Sequence, residues 1–309
     1  MTPHVFRNAL VLTGPTGSGK SALAVELAER LGAEIVSMDS MALYRGTDVG
    51  TAKPDAEQRR RVPHHLIDVL APWESASVAW WLDRAAESVQ SIESRGKRAL
   101  IVGGTPLYLK ALLHGLFDGP PADAALRERL ADEAGRLGSA ALHARLAEVD
   151  AASAARLHPN DVRRIIRALE VWQLTGRPLS AWQTQWSSTT HHAPRPTHRV
   201  LWLDLPRDEL YARIDARAVR MFDGGLIDEA DRLRRLPKPL GREAAQAVGY
   251  KEAFAYLDGQ ATREEALRQL RTRSRRLARR QLTWFRQMPE CRPVSRELTF
   301  ALWDSTMGS

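Results

Sequence analysis

Eight consecutive residues, Gly14-Pro15-Thr16-Gly17-Ser18-Gly19-Lys20-Ser21, have the types and spacing needed to hold a polyphosphate. Glycines let the backbone wrap an anion, and successive N–H groups can point inward as a nest. Lys20 can neutralise phosphate oxygens, and the Ser21 hydroxyl can reach a Mg²⁺ ion bound to them. The loop leaves open which polyphosphate is held and what is done with it. Three other places carry suitable groups. Asp39 follows the apolar run Glu34 to Met38 and can coordinate a metal, accept a proton or cap a helix. Gly103-Gly104-Thr105 stands where a Walker-type hydrolase would usually have an acid, and such small residues can admit a planar base or alkyl chain, form a tight turn, or do both. Arg268 to Arg286 contains eight arginines and no Asp or Glu, which suits contacts with a phosphodiester backbone.

The elements that must position these groups are legible. Ala9 to Thr13 reads as a buried strand, and Ala22 to Leu31 as a helix, so the phosphate loop sits between strand and helix. In open α/β sheets the carboxyl ends of strands face the ligand crevice, which places Asp39 near the loop. Tyr44 to Pro54 reads as a loop over that crevice, 77–95 as an amphipathic helix and Lys97 to Val102 as a further strand. The Trp80-Trp81 pair is expected in the core and groove wall. Adjacent histidines cannot face one ion from a regular element, so His64-His65 is expected to precede a strand and make local hydrogen bonds, and His191-His192 is weak evidence for metal. Pro120-Pro121 marks a boundary. Helical periods then run near 123–137, 139–148, 151–157 and 161–175, with Asp161 as a cap and Gly176 as a stop. A strand resumes at Arg199 to Pro206, and 207–286 is mostly helical, with Arg213, Arg217 and Arg220 on one helix face. Leu267, Leu270, Ser274, Leu277, Gln281 and Trp284 form a narrow stripe under the arginines. The tail after Pro293 is expected to be peripheral.

These readings give an α/β fold: a P-loop-containing parallel-sheet core, 1–119 and 198–309, with an all-helical insertion, 120–197. The chain has 309 residues and a net charge of +8, which favours a polyanionic partner. No apolar run is long enough for a membrane span. Met1 to Asn8 lacks a signal-peptide core, and Cys291 is the only cysteine, so a cytoplasmic location without disulfides is expected.

Three reactions fit a phosphate cradle beside a carboxylate. A small-molecule kinase needs no nucleic-acid surface, and a nucleic-acid-dependent NTPase needs a water-positioning acid that cannot be placed. A transferase with diphosphate as leaving group and nucleic acid as nucleophile uses every part. At this point the chain resembles the bacterial tRNA dimethylallyltransferases. The matching residues are Gly14 to Ser21, Ser37 to Ser40, Gly50 to Pro54, Pro63 to Asp68, Val102 to Thr105, His158 to Asp161, Arg167 to Val171, Val248 to Tyr250, and Arg279 to Gln281 with Thr283-Trp284. Gly17 stands where that family often has Ala, Ser21 where it often has Thr, and Trp80-Trp81 where a single Phe is usual.

The resemblance implies transfer of a dimethylallyl group from dimethylallyl diphosphate to N6 of the adenosine just 3′ of a tRNA anticodon. It implies Asp39 as the base, Arg217 and Thr16 beside the diphosphate held by Gly14 to Ser21, and Mg²⁺ at Ser21. Asp39-Ser40-Met41-Ala42 and Thr105 are implied at the mouth where the flipped adenosine enters. Arg127 and Arg163-Arg164-Ile165-Ile166-Arg167 are implied to touch the anticodon stem-loop. Arg275, Arg276, Arg279 and Arg280 are expected on the tRNA backbone, and the protein is expected to be a monomer. An adenylate acceptor, as in cytokinin-forming relatives, fits the insertion and the arginine helix less well.

Overall fold

The computed structural model describes residues 3–117, 119–183 and 200–304. The chain forms two compact units, one from Met1–Leu113 with Pro196–Ser309 and one from His114–Arg195.

In the first unit β1 (Leu10–Thr13) leads through the glycine loop into α1 (Lys20–Leu31), whose Leu23, Ala24, Leu27, Ala28 and Leu31 are buried. Gly32 in the left-handed conformation ends α1. Then come β2 (Ala33–Ser37), α2 (Ala56–Arg61), β3 (His64–His65), α3 (Val78–Ser94), β4 (Arg98–Gly103) and α4 (Pro106–His114). Ser77 caps α3 by accepting from the Trp80 N–H.

The second unit is helical: α5 (Ala124–Leu137), α6 (Ser139–Val149), α7 (Ala151–Arg156), α8 (Val162–Thr175) and α9 (Leu179–Trp182). Leu126, Leu130, Leu142, Leu146, Ile165 and Leu169 are among its buried residues. Asp161 caps α8, and Gly176 in the left-handed conformation ends it. His191-His192 and the loop at 187–196 lie outside the described residues.

The chain re-enters the first unit at β5 (Val200–Leu203). It continues through α10 (Arg207–Asp223), α11 (Leu226–Arg234), α12 (Arg242–Ala245), α13 (Tyr250–Leu257) and α14 (Arg263–Gln287), then β6 (Cys291–Val294) and α15 (Arg296–Asp304). The six strands are parallel in the order β3-β2-β4-β1-β5-β6. A parallel sheet needs both faces covered, which explains the unbroken apolar runs in β1, β4 and β5. With β4 and β5 on either side of β1, the phosphate loop emerges from the middle of the sheet. No helix among the described residues is long and apolar enough to cross a membrane.

Two expectations change. The histidine pair is itself the short edge strand: the Nδ1–H of His64 donates to the Val62 carbonyl at 2.8 Å, and His65 Nε2 lies 2.7 Å from Glu34 Oε2. Burial alone would raise the Glu34 carboxyl, but hydrogen bonds from His65 and Lys97 and the charge of Arg95 hold it down at about 2. The tail after Pro293 is also not peripheral. Strand β6 extends the sheet beside β5, and fully buried Trp303 on α15 packs with Leu12, Leu201 and Val294. Composition hid this because a Pro-containing four-residue strand carries little pattern by itself. Cys291 is buried at the start of β6, and burial pushes its thiol up to about 12. Trp303→Ala should therefore destabilise the protein by about 3–5 kcal/mol, as for other buried tryptophans. Chemical denaturation checks this, and an unchanged midpoint would return α15 to the periphery.

Candidate active site

The phosphate loop is held in its wrapped form by left-handed glycines. Gly17 has φ +83°, and a Cβ there would lie 2.7 Å from Ile214 Cγ1, so an alanine at this position would need both the backbone and α10 to shift. Thr16 is pinned from two helices. Its N–H donates to Gln281 Oε1 on α14 at 2.9 Å, and its hydroxyl accepts from Arg217 Nη1 on α10 at 3.0 Å. Lys20 begins α1, where the helix N-terminus adds partial positive charge. Its ammonium meets only the Pro15 carbonyl, at 3.5 Å, and the Ser18 hydroxyl is buried with no partner among the described residues.

Asp39 stands just past β2. Trp81 fixes that strand end: it is fully buried, stacks on Tyr108 with ring centroids 4.4 Å apart, and donates its Nε1–H to the Ser37 carbonyl at 3.0 Å. One Asp39 oxygen accepts from the Met41 N–H at 2.9 Å, which aims the carboxylate. Ser40 N–H donates to the Thr105 hydroxyl at 3.1 Å, so the β2 and β4 ends are joined at one mouth. Thr16, Lys20, Ser21, Asp39, Thr105 and Arg217 all line one cavity of about 360 Å3. Ala24, Ile35, Ile67, Val102 and Ile214 give it an apolar side. Asp39 is the only acidic residue in its lining.

Electrostatics single out two cations. Burial lowers the Lys20 ammonium to about 8; the Asp39 carboxylate opposes the shift and the Arg217 charge adds to it. Burial likewise pulls Arg217 below its ordinary value, with Asp39 again opposing. Removal of positive charge from water is costly unless an anion compensates. Besides ion-paired Lys53, one lining carboxylate faces Lys20, Arg217 and Arg280 here, so the cavity is built for an added anion. A Mg²⁺ ion suits the same place, because it is commonly held by one or two protein oxygens plus phosphate oxygens. Ser21 supplies such a protein oxygen, and no cluster of His, Cys, Asp or Glu among the described residues could hold a metal unaided.

The glycines ending β4 have a different cause from the room suggested by sequence. A Cβ on Gly103 would lie 2.1 Å from the Met38 carbonyl oxygen, and one on Gly104 would lie 2.7 Å from Gln281 Nε2. The chain's own backbone and an amide lie against these glycines, so the tight turn is realised, while Gly103, Gly104 and Thr105 also line the cavity.

The arginines divide sharply. Arg275 pairs with Asp215 and stacks over Tyr211, and Arg273 pairs with buried Glu252 at 2.6 Å. Arg275 is thus held down on α10 instead of standing free. Arg276, Arg279 and Arg280 are exposed and pair with no carboxylate among the described residues. In the helical unit Arg127 and Arg167 both grip fully buried Glu170, at 2.9 and 2.5 Å. Ile165 and Ile166 point into that unit's core, because four consecutive residues cannot all face outward from a helix. Arg163 and Arg164 are the exposed members.

Two residues escaped sequence reading. Buried Glu229 on α11 accepts from the backbone N–H groups of Asp48, Val49 and Gly50, each at 2.9 Å, and from the Tyr250 hydroxyl at 2.6 Å. It fastens the Gly50 loop beside the cavity; a lone Glu on an amphipathic helix gave no such signal. Gln281 was visible as part of the Arg279 to Gln281 match and as a polar member of a buried stripe, the mark of an amide with a partner inside, but without a role.

A family model described as IPP transferase matches residues 42–288, and one described as isopentenyl transferase matches residues 7–67. A tRNA dimethylallyltransferase of Thiobacillus denitrificans is 49% identical over 91% of this chain and 89% of its own length. The enzyme of that name from Geobacter metallireducens is 47% identical over 91% and 90%. The crystal structure of the tRNA isopentenylpyrophosphate transferase of Bacillus halodurans is 42% identical, has a TM-score of 0.65, and is matched over 94% of this chain and 90% of that one. A eukaryotic dimethylallyltransferase captured acting on tRNA has a TM-score of 0.74 at 25% identity, over 93% of this chain and 73% of that one. The match thus runs over nearly the whole length of enzymes with one name, and the chain belongs to the IPP transferase family, with the tRNA dimethylallyltransferases.

Proposed function

We propose that the protein transfers a dimethylallyl group from dimethylallyl diphosphate to N6 of the adenosine 3′-adjacent to the anticodon in tRNA. The carrying observation is the pair of desolvated cations, Lys20 and Arg217, sharing a cavity with one carboxylate and an apolar wall. A diphosphate would complete the charge, and the apolar side would keep water from an allylic carbon with cationic character. The N6–C1 bond forms as the C1–O bond to diphosphate breaks. The N6 proton passes to Asp39, whose orientation the Met41 N–H fixes. Loop N–H groups, Lys20 and Arg217 take up the charge that develops on the leaving diphosphate. Ser21 is the residue that would hold Mg²⁺, which when bound would add further positive charge beside the leaving group. The adenine must leave its stack to reach Thr105 and Asp39.

Exposed Arg276, Arg279 and Arg280 are assigned to the tRNA backbone, and Arg163 and Arg164 to the anticodon stem-loop. Arg127 and Arg167 would approach RNA while remaining tied to Glu170. A cytoplasmic monomer is the form this reading expects, since tRNA is the acceptor.

The direct test is incorporation of label from dimethylallyl diphosphate into unmodified tRNA with Mg²⁺; absence of prenylated adenosine would end the proposal. Asp39→Asn should slow single-turnover transfer by about 10²–10⁴-fold with tRNA affinity unchanged, and a normal rate would remove the base from Asp39. Donor affinity should follow the charge of Lys20. Below pH 8 the ammonium is formed and the donor KM is flat; above it the KM should rise by up to about tenfold per pH unit. Lys20→Arg, charged throughout, should flatten that rise, whereas a wild-type KM constant to pH 9.5 would dissociate Lys20 from the diphosphate. Replacing Arg276, Arg279 and Arg280 with Ala should lower the salt slope of tRNA binding by about 2–3. An unchanged slope would make them a solvated face.

A further inference from the structure

Gln281 joins three distant parts of the chain. It lies on the helix that carries the exposed arginines, yet its side chain is turned inward and the residue is only 7% exposed. Oε1 accepts from the Thr16 N–H in the phosphate loop, and Nε2 donates to the Gly104 carbonyl at the end of β4, at 2.6 Å. The amide has only one orientation that works, because an N–H can only donate and a carbonyl can only accept. Gly104 answers it: any Cβ there would meet Nε2 at 2.7 Å. Each tied residue borders a working part. Thr16 is also held by Arg217 through its hydroxyl, and Gly104 precedes Thr105, whose hydroxyl is bonded to the Ser40 N–H beside Asp39.

Resting on the function proposed above, we propose that Gln281 is a positioning residue. Its amide clamps the diphosphate end of the site to the acceptor end and so sets the distance between the carbon attacked and the attacking amine. The group must be neutral. A carboxylate would repel the Gly104 carbonyl and the diphosphate, and a cation could not accept from Thr16. Asn offers both atoms one carbon short. Errors of about 1 Å in such placement cost up to about 10²-fold in rate, and a misaligned donor is open to water.

Gln281→Leu and Gln281→Glu test this in the full chain, with labelled dimethylallyl diphosphate and tRNA as probes. Gln281→Leu should lower single-turnover transfer by about 10–100-fold, leave the tRNA Kd within about twofold of wild type, and divert more donor to hydrolysis. Gln281→Glu keeps the acceptor for Thr16 and regains a donor to Gly104 only when protonated. Its transfer rate relative to wild type should therefore climb as pH falls from 8 to 5.5. A wild-type rate in Gln281→Leu overturns the proposal, as does a rate loss matched by an equal loss of tRNA affinity. Should Gln281→Leu fail to fold, the isosteric Gln281→Glu decides alone, and a pH-independent ratio to wild type overturns the clamp. Failure of wild type to prenylate tRNA would instead count against the function itself.

Discussion

Two positive charges drawn out of water around one loop, with a single carboxylate to face them, set the terms for the rest of the core unit. Lys20 and Arg217 would be stabilised by more acids, and those acids would then compete with any anionic ligand. The fold avoids that by holding the loop without further carboxylates. The Gln281 amide holds the Thr16 N–H, and Arg217 and Arg213 hold the Thr16 hydroxyl and the Ser18 carbonyl, so its shape is fixed without reducing its positive field. Packing elsewhere must carry the free energy of this unmet charge, which is why the loop emerges from the middle strand of a sheet covered on both faces.

Ionic groups used for construction obey the opposite rule. Glu229, Glu170, Glu252 and Glu34 are buried, and each is met by several donors. Glu229 secures a loop through its backbone, Glu170 locks two arginines, and Glu252 seats Arg273 from α14. Paired ions build the scaffold and unpaired cations are left for ligands. The same division runs along α14, where Arg273 and Arg275 serve the fold, Arg276 and Arg279 are exposed, and exposed Arg280 also lines the active-site cavity.

Local signals in the sequence were enough for the phosphate loop, the first strands, the helical unit with its Asp161 cap and Gly176 stop, and the placement of Asp39. Each follows from residues close together in the chain. What sequence left dark depends on partners far away. Gly103 and Gly104 looked like space for a ligand because Met38 and Gln281 are remote in sequence. Ile165 and Ile166 carry the same family motif as Arg163 and Arg164, but helix periodicity sends them into the core. The short β6 and the α15 tryptophan have no strong local pattern, and only their packing against β5 and the β1 side of the core gives them a place.

The burial of Cys291 has a practical consequence. Burial pushes the Cys291 thiol up to about 12 and encloses it at the start of β6. It is the only sulfhydryl in the sequence, so the native protein offers no exposed thiol to maleimides and iodoacetamides. A cysteine introduced on the outward face of α14 or α8 would take a fluorophore or spin label at that position alone. Distances between the two units could then be followed in solution, on the unaltered background, as RNA arrives.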